Sequence, residues 1–355
     1  MPVLTRTIQV LLVAILAVAI LHFARELLIP ICFAALLAML LLTISRRLEK
    51  RGISRGLAAF LCVLLLVVVV AGMVWLLQWQ LSGMMKDMDG IEQRFTQQVN
   101  KVKQYISNTL GISEQKQEEL VKKQSSGGSG KTVAMVMSAI GGTLVNTVLV
   151  LVYIFLFLYF RLHLKKFIIK LTPHQRKEQA LIIIQESTKV AQHYLNGLAG
   201  MIVTLWILYS IGFSLIGVES PVFFAILCGL LEIIPFVGNL AGTAITILFS
   251  IAQGGGANLV LYIILVYGLV QFVQSYILEP LIVGARVNIN PLFTILALVA
   301  GELLWGIPGI ILAIPMLAIV KIVCDHIGPL KPFGFLIGTE EKKGRSLKNL
   351  FMKKH

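Results

Sequence analysis

The feature that most constrains this chain is a succession of long apolar runs, each closed by charged residues or a turn. Thr7 to Ala24 contains no Asp, Glu, Lys or Arg over about 18 residues, which as helix covers ~27 Å, close to the ~30 Å hydrocarbon core of a bilayer. Comparable runs cover Leu27–Ser45, Gly56–Leu77, about Ala139–Phe160, Met201–Gly217 and Leu259–Leu278. A soluble surface carries roughly 25% charged residues, whereas here 14% are charged and the mean hydropathy is +0.87. The sequence therefore predicts an all-α polytopic membrane protein with about six transmembrane helices, and excludes the ordinary soluble enzymes.

The charge that does exist sits at the ends of the runs. Arg46, Arg47, Lys50, Arg51 and Arg55 surround one acid, Glu49; Arg161, Lys165, Lys166, Lys170, Arg176 and Lys177 follow the fourth run; basic residues recur from Lys331 to Lys354. Short basic loops stay on the cytoplasmic side, so both termini are expected there. The excess of 31 basic over 17 acidic residues is then matched to membrane lipid rather than to nucleic acid. The first two runs read as an uncleaved helical hairpin turning at Arg25-Glu26.

Five regions follow. Residues 1–77 hold spans one to three. Residues 78–138 form an extracytoplasmic amphipathic insert, with an apolar stripe at Ile91, Phe95, Val99, Val102 and Ile106 and a flexible linker, SSGGSG, at 125–130. Residues 139–200 are span four plus a polar helix at the inner surface, 201–326 are the core, and 327–355 are a basic cytoplasmic tail. Gly130-Lys131-Thr132 resembles the end of a phosphate-binding loop, but the motif's first glycine falls at Ser125 and no strand precedes it.

Two segments in the core are broken. Pro221–Phe236 and Asn239–Gln253 are apolar pieces of about 15 residues, ~22 Å each, interrupted by Pro235 and Gly238. Pro291–Gly306 and Ile307–Val323 repeat the pattern around Gly306 and Gly309. Short broken helices at membrane depth must have their breaks buried in protein or lining a cavity. The expectation is two re-entrant hairpins, related as inverted repeats of a transporter, with the binding site at the breaks.

Superposing the segments aligns Pro221 with Pro291 and Glu232 with Glu302, both eleven residues on. These are the two acids set well inside the apolar hairpins. A charge at the bilayer centre costs roughly 2.5–3.5 kcal/mol on insertion scales. Such a carboxyl either carries a coupling proton or cation, meets a polar solute, or bonds the free amides of the helix break; the sequence leaves these open. Gln271, Gln274, Ser275 and Glu279 share one face of span six, which either lines the path or joins helices. Asn239 belongs to the candidate path, while Glu279, Pro280, Asn290 and Pro291 form a candidate cytoplasmic gate or set of caps. Cys32, Cys62, Cys228 and Cys324 are isolated, and no metal-ligand pair or nucleophile elbow occurs. No enzyme chemistry and no cofactor is expected, beyond a possible coupling ion, H⁺ or Na⁺.

Tyr194-Leu-Asn-Gly197, Glu232-Ile-Ile-Pro235-Phe-Val-Gly238, Glu279-Pro280-Leu-Ile-Val-Gly284, Asn290-Pro291 and Gly306-Ile-Pro-Gly309 resemble the signatures of the autoinducer-2 exporter family of PerM-like bacterial permeases. The resemblance is strong over residues 190–325. It implies a homo-oligomeric permease of the bacterial inner membrane, with members described as exporters of a quorum-sensing signal and others as Na⁺(Li⁺)/H⁺ antiporters. Many members carry an acid where this chain has Gln274. The expected function is export of a small polar solute by alternating access of the two hairpins, with Na⁺/H⁺ antiport or a non-transporting scaffold as alternatives.

Overall fold

The computed structural model describes residues 2–85, 129–235, 237–284 and 289–339. The stripe of the insert and the tail from residue 340 lie outside the described residues. Elements in chain order are α1 (Pro2–Phe23), α2 (Arg25–Lys50), α3 (Arg55–Met85), α4 (Ser129–Leu171), α5 (Lys177–Leu215), α6 (Pro221–Leu231), α7 (Val237–Ala252), α8 (Ala257–Val273), a π-helical segment (Gln274–Gly284), α9 (Pro291–Trp305), α10 (Ile307–His326) and α11 (Lys331–Ile337). Among the described residues, six helices are long and apolar enough to cross a membrane, within α2, α3, α4, α5, α8 and α10, while the expected first span contributes only a shorter apolar stretch, Leu11–Phe23 of α1. The expected all-α membrane architecture is therefore what the chain forms.

α5 is the spine. Its 39 residues join the predicted polar helix and the fifth span into one rod of ~58 Å. α6, α10, the π-helical segment, α2 and α8 all pack on it. Leu205, Tyr209 and Phe213 on α5 are fully buried against Phe224, Ala225 and Cys228 of α6 and Ile263 of α8. A second cluster joins α2, α3 and α4 through Ala34, Ala38, Leu41, Ala59, Cys62, Ile154 and Leu158. Alanines on α2 admit close approach of its neighbours, which is how membrane helices associate without a hydrophobic drive between them.

Three expectations are revised. α1 and α2 do not form a packed hairpin: a single residue, Ala24 (φ −87°, ψ 13°), joins them, so the chain bends there, and Ile8, Ile15, Ile20 and Phe23 of α1 are exposed. α4 starts at Ser129, so Ser129 and Gly130 of the expected linker and residues 131–138 of the expected insert are helical. α10 has 20 residues, so the second broken segment is lopsided, with one arm of spanning length.

One basic residue near the end of α4 ties two helices together. Arg161 of α4 forms an ion pair with Glu49 of α2, and its other nitrogen donates to buried Ser45 Oγ at 3.2 Å. Ser45 Oγ donates to Glu49 at 3.1 Å, closing a triangle between the helices. Removing one member of a largely buried charged bond costs about 1.5–3 kcal/mol. Arg161→Ala is expected to lower the thermal midpoint of the detergent-solubilised protein, read by fluorescence-detected size exclusion, while Lys165→Ala leaves it in place.

Candidate functional site

Each broken segment folds back on itself as a helical pair, and glycine permits the contact. A Cβ on Gly238 would lie 1.6 Å from the Leu231 carbonyl oxygen, and one on Gly242 would lie 2.9 Å from Cys228 Cα. In the second pair a Cβ on Gly309 would lie 1.9 Å from the Gly301 oxygen. Gly306 joins α9 to α10 at φ 64° and ψ −142°, a backbone region that side chains rarely adopt. Pro235 lies in the first break, where Val237 N donates to its carbonyl at 2.8 Å.

Glu232 ends α6 and is 7% exposed. Its Oε1 accepts from Gln274 Nε2 at 2.6 Å, and its Oε2 has no partner. Gln274, 1% exposed, accepts in turn from Asn239 Nδ2 at 3.2 Å. Asn239 also donates to Gln271 Oε1 at 2.6 Å and accepts from the Tyr209 hydroxyl at 2.6 Å. Gln271 Nε2 donates to Ser275 Oγ at 3.3 Å. One buried network thus ties α5, both arms of the first hairpin and the end of α8 together.

Its bonds run one way. Tyr209 donates to Asn239, Asn239 to Gln274, and Gln274 to Glu232, so successive dipoles point at the carboxyl group. In a low dielectric such a chain is cooperatively strengthened, and each unpaired member is costly. Glu232 is held by a side chain from another helix, not by amides at its own break. Gln274 is also where α8 passes into the π-helical segment, an irregularity that recurs at functional sites.

Other sequence candidates fall elsewhere. Glu302 is exposed on α9, where its backbone carbonyl accepts from Gly306 N at 2.8 Å; the structure does not bring it into the Glu232 network. Glu279 is exposed within the π-helical segment, which also contains the backbone of Pro280. Asn290 is a helix cap: its Oδ1 accepts from Leu292 N at 3.0 Å, and Pro291 takes the first turn of α9. Its backbone N donates to the Ile337 carbonyl at 2.8 Å, fastening α11 to the second hairpin.

Tyr209 is the member that sequence reasoning missed. A phenol in an apolar span reads as an aromatic packing residue unless its partner is known. The sequence did carry a second signal, a polar face on α7 at Asn239, Thr243, Thr246 and Ser250. A separate crevice of about 1010 Å³ lies between α2, α3 and α4, beside Trp305 and Pro308 of the second hairpin. Its walls are mostly apolar, with Ile29, Phe33, Val70 and Leu151 among them, and Arg25, Glu26, Gln78 and Asn146 add polar groups.

A family profile described as AI-2E family transporter matches residues 10–328. Among curated proteins the chain is 29% identical over 163 residues to the provisionally named transport protein YrrI of Bacillus subtilis, covering 46% of each. It is 32% identical over 136 residues to a provisionally named transport protein of Borreliella burgdorferi, covering 38% of each. To the provisionally named transport protein YueF of Bacillus subtilis it is 26% identical over 195 residues, 54% of this chain and 52% of that one. The chain thus spans about half or less of the length of these relatives. The profile match runs through both hairpins and the buried network, and on it the chain belongs to the AI-2E family of transporters and is a multi-pass membrane protein.

Proposed function

We propose that this protein is a secondary transporter that exports a small polar solute by moving the first hairpin against the α5 spine. The observation that carries the reading is Glu232: a buried carboxyl at a helix break, one oxygen held by Gln274 and the other unpartnered. An ionisable group in this position is expensive in a membrane and usually marks a pathway. Here it sits where two local irregularities meet, the break between α6 and α7 and the π-helical end of α8. Amides and a phenol around it, from Gln271, Gln274, Asn239 and Tyr209, can trade their mutual bonds for bonds to hydroxyls of a solute.

The cycle follows from that trade. With the network closed, the hairpin is fixed to α8. Solute that replaces the Asn239–Gln271 and Asn239–Gln274 bonds releases the hairpin, and a proton or Na⁺ at Glu232 removes the cost of an unpaired charge during the move. The family name and the autoinducer-2 resemblance support a furanosyl-type solute. On this reading the protein works in the bacterial inner membrane, with its basic loops and termini cytoplasmic, and as a homo-oligomer.

The test is uptake into proteoliposomes of the purified protein under imposed pH and Na⁺ gradients, with a labelled furanosyl polyol. Expected is solute flux that disappears when the gradient is dissipated. Gradient-driven Na⁺ movement without solute would replace the exporter by an antiporter. No flux of either kind would contradict transport and leave the scaffold reading.

A further inference from the structure

We propose that the first hairpin holds a file of bound water along the buried hydroxyl face of α7, and that protons reach Glu232 through it. The inference rests on Glu232 being the coupling group. Asn239, Thr243, Thr246 and Ser250 follow one another at i, i+4, i+7 and i+11, which places them on one helix face. They are 3%, 4%, 0% and 2% exposed. From first to last the face covers ~16 Å, about half of a ~30 Å hydrocarbon core.

Where this face points is fixed by its contacts. Thr246 Oγ1 lies 3.8 Å from Cys228 Sγ on α6, and Asn239 meets Tyr209 of α5 and Gln271 of α8. The face is therefore turned into the protein. One end is the Glu232 network; the other reaches Ser250, whose carbonyl accepts from Gly255 N at 2.8 Å in the turn that closes the hairpin.

Among the described residues, the buried side-chain oxygens and nitrogens without a hydrogen-bond partner are Glu232 Oε2, Thr243 Oγ1 and Ser250 Oγ. All three belong to this hairpin. Buried polar atoms in folded proteins are paired, with protein or with ordered water. Thr246 shows the alternative open to a hydroxyl here, since it donates to the Gly242 carbonyl one turn back at 2.8 Å. Thr243 Oγ1 and Ser250 Oγ make no such bond. A hydroxyl that both donates and accepts is suited to hold water in a polar site.

A file of such groups carries a proton without net chemistry. A proton arriving at Ser250 binds one lone pair of a water or hydroxyl oxygen, that oxygen releases its own proton to the next, and the last passes one to Glu232 Oε2. One proton enters and one is delivered; each O–H bond that forms is matched by one that breaks.

The experiment uses the full-length protein and two readouts. Radiolytic hydroxyl-radical labelling in H₂¹⁸O marks groups beside bound water, and Cys228, 0% exposed and in contact with this face, is the reporter. Wild type is expected to take up ¹⁸O at Cys228, and the paired change Thr243→Val with Ser250→Ala, which removes two hydroxyls and adds no bulk, to lose it. In proteoliposomes with an internal pH dye, proton influx driven by a K⁺ diffusion potential is expected to fall in the same variant to the rate of protein-free vesicles. An unlabelled Cys228 in folded wild type overturns the proposal, as does unchanged proton influx in the variant. Labelling and influx both lost in the variant, with no solute transport by wild type, support the water file and contradict the exporter reading alone.

Discussion

Glu232→Gln is expected to abolish gradient-coupled flux while leaving the protein folded. The glutamine amide oxygen can accept the same bond from Gln274 Nε2 that Glu232 Oε1 accepts at 2.6 Å, so the network closes as before. What disappears is the ability to change protonation or to neutralise a cation. Solute exchange down its own gradient persists; movement driven by an imposed pH or Na⁺ gradient drops to the level of empty liposomes. Glu302→Gln, in contrast, changes an exposed residue outside the network, and its effect stays within about twofold, the range of ordinary surface substitutions. Parallel flux assays on the two variants read this directly, and equal loss in both contradicts the assignment to Glu232.

The second large effect is on the fold itself. Gly238→Ala places a methyl group 1.6 Å from the Leu231 carbonyl oxygen and 2.9 Å from Glu232 N. Both are backbone atoms of the opposing arm, so no side chain can swing aside. Overpacking of ordinary cores costs about 1–3 kcal/mol, and a clash of backbone against backbone lies at the upper end or beyond. Purified Gly238→Ala is expected to be obtained in low yield, with a broadened size-exclusion peak. Gly268 on α8 has nothing within 4 Å of an added Cβ, so Gly268→Ala, which gains about 1 kcal/mol of helix propensity, serves as the tolerated comparison. A well-folded, fully stable Gly238→Ala protein would contradict the closed hairpin.

Much of this architecture is legible from the residues because membrane helices advertise themselves by length and the breaks by Pro and Gly. Pro235 and Gly306 lie in the two turns, Gly238 and Gly309 lie in the first turn of the arm that follows each, and Asn239 bonds both Gln271 and Gln274. Periodicity along one helix cannot tell which helix it will face, so Tyr209 stayed hidden, and the match of Glu232 with Glu302 along the chain said nothing about their different exposure. The bend at Ala24 was missed for a similar reason: charges at Arg25 and Glu26 look like a turn, yet a helix can carry them at its first turn with little disturbance. Asn290 followed the commoner use of its residue type, capping a helix that starts with proline.

On the proposed cycle, the first hairpin is expected to move relative to α5 when solute displaces the network. Spin labels at Leu240, on α7 close to the break, and Ile211, on α5, are both on exposed positions and leave the network intact; Cys32, the native cysteine that is not fully buried, is replaced by serine. Double electron–electron resonance in liposomes is expected to give two distance populations, whose ratio shifts with solute and with an imposed gradient in wild type, and with solute alone in Glu232→Gln. A single distance, the same under every condition and in both proteins, would contradict the account.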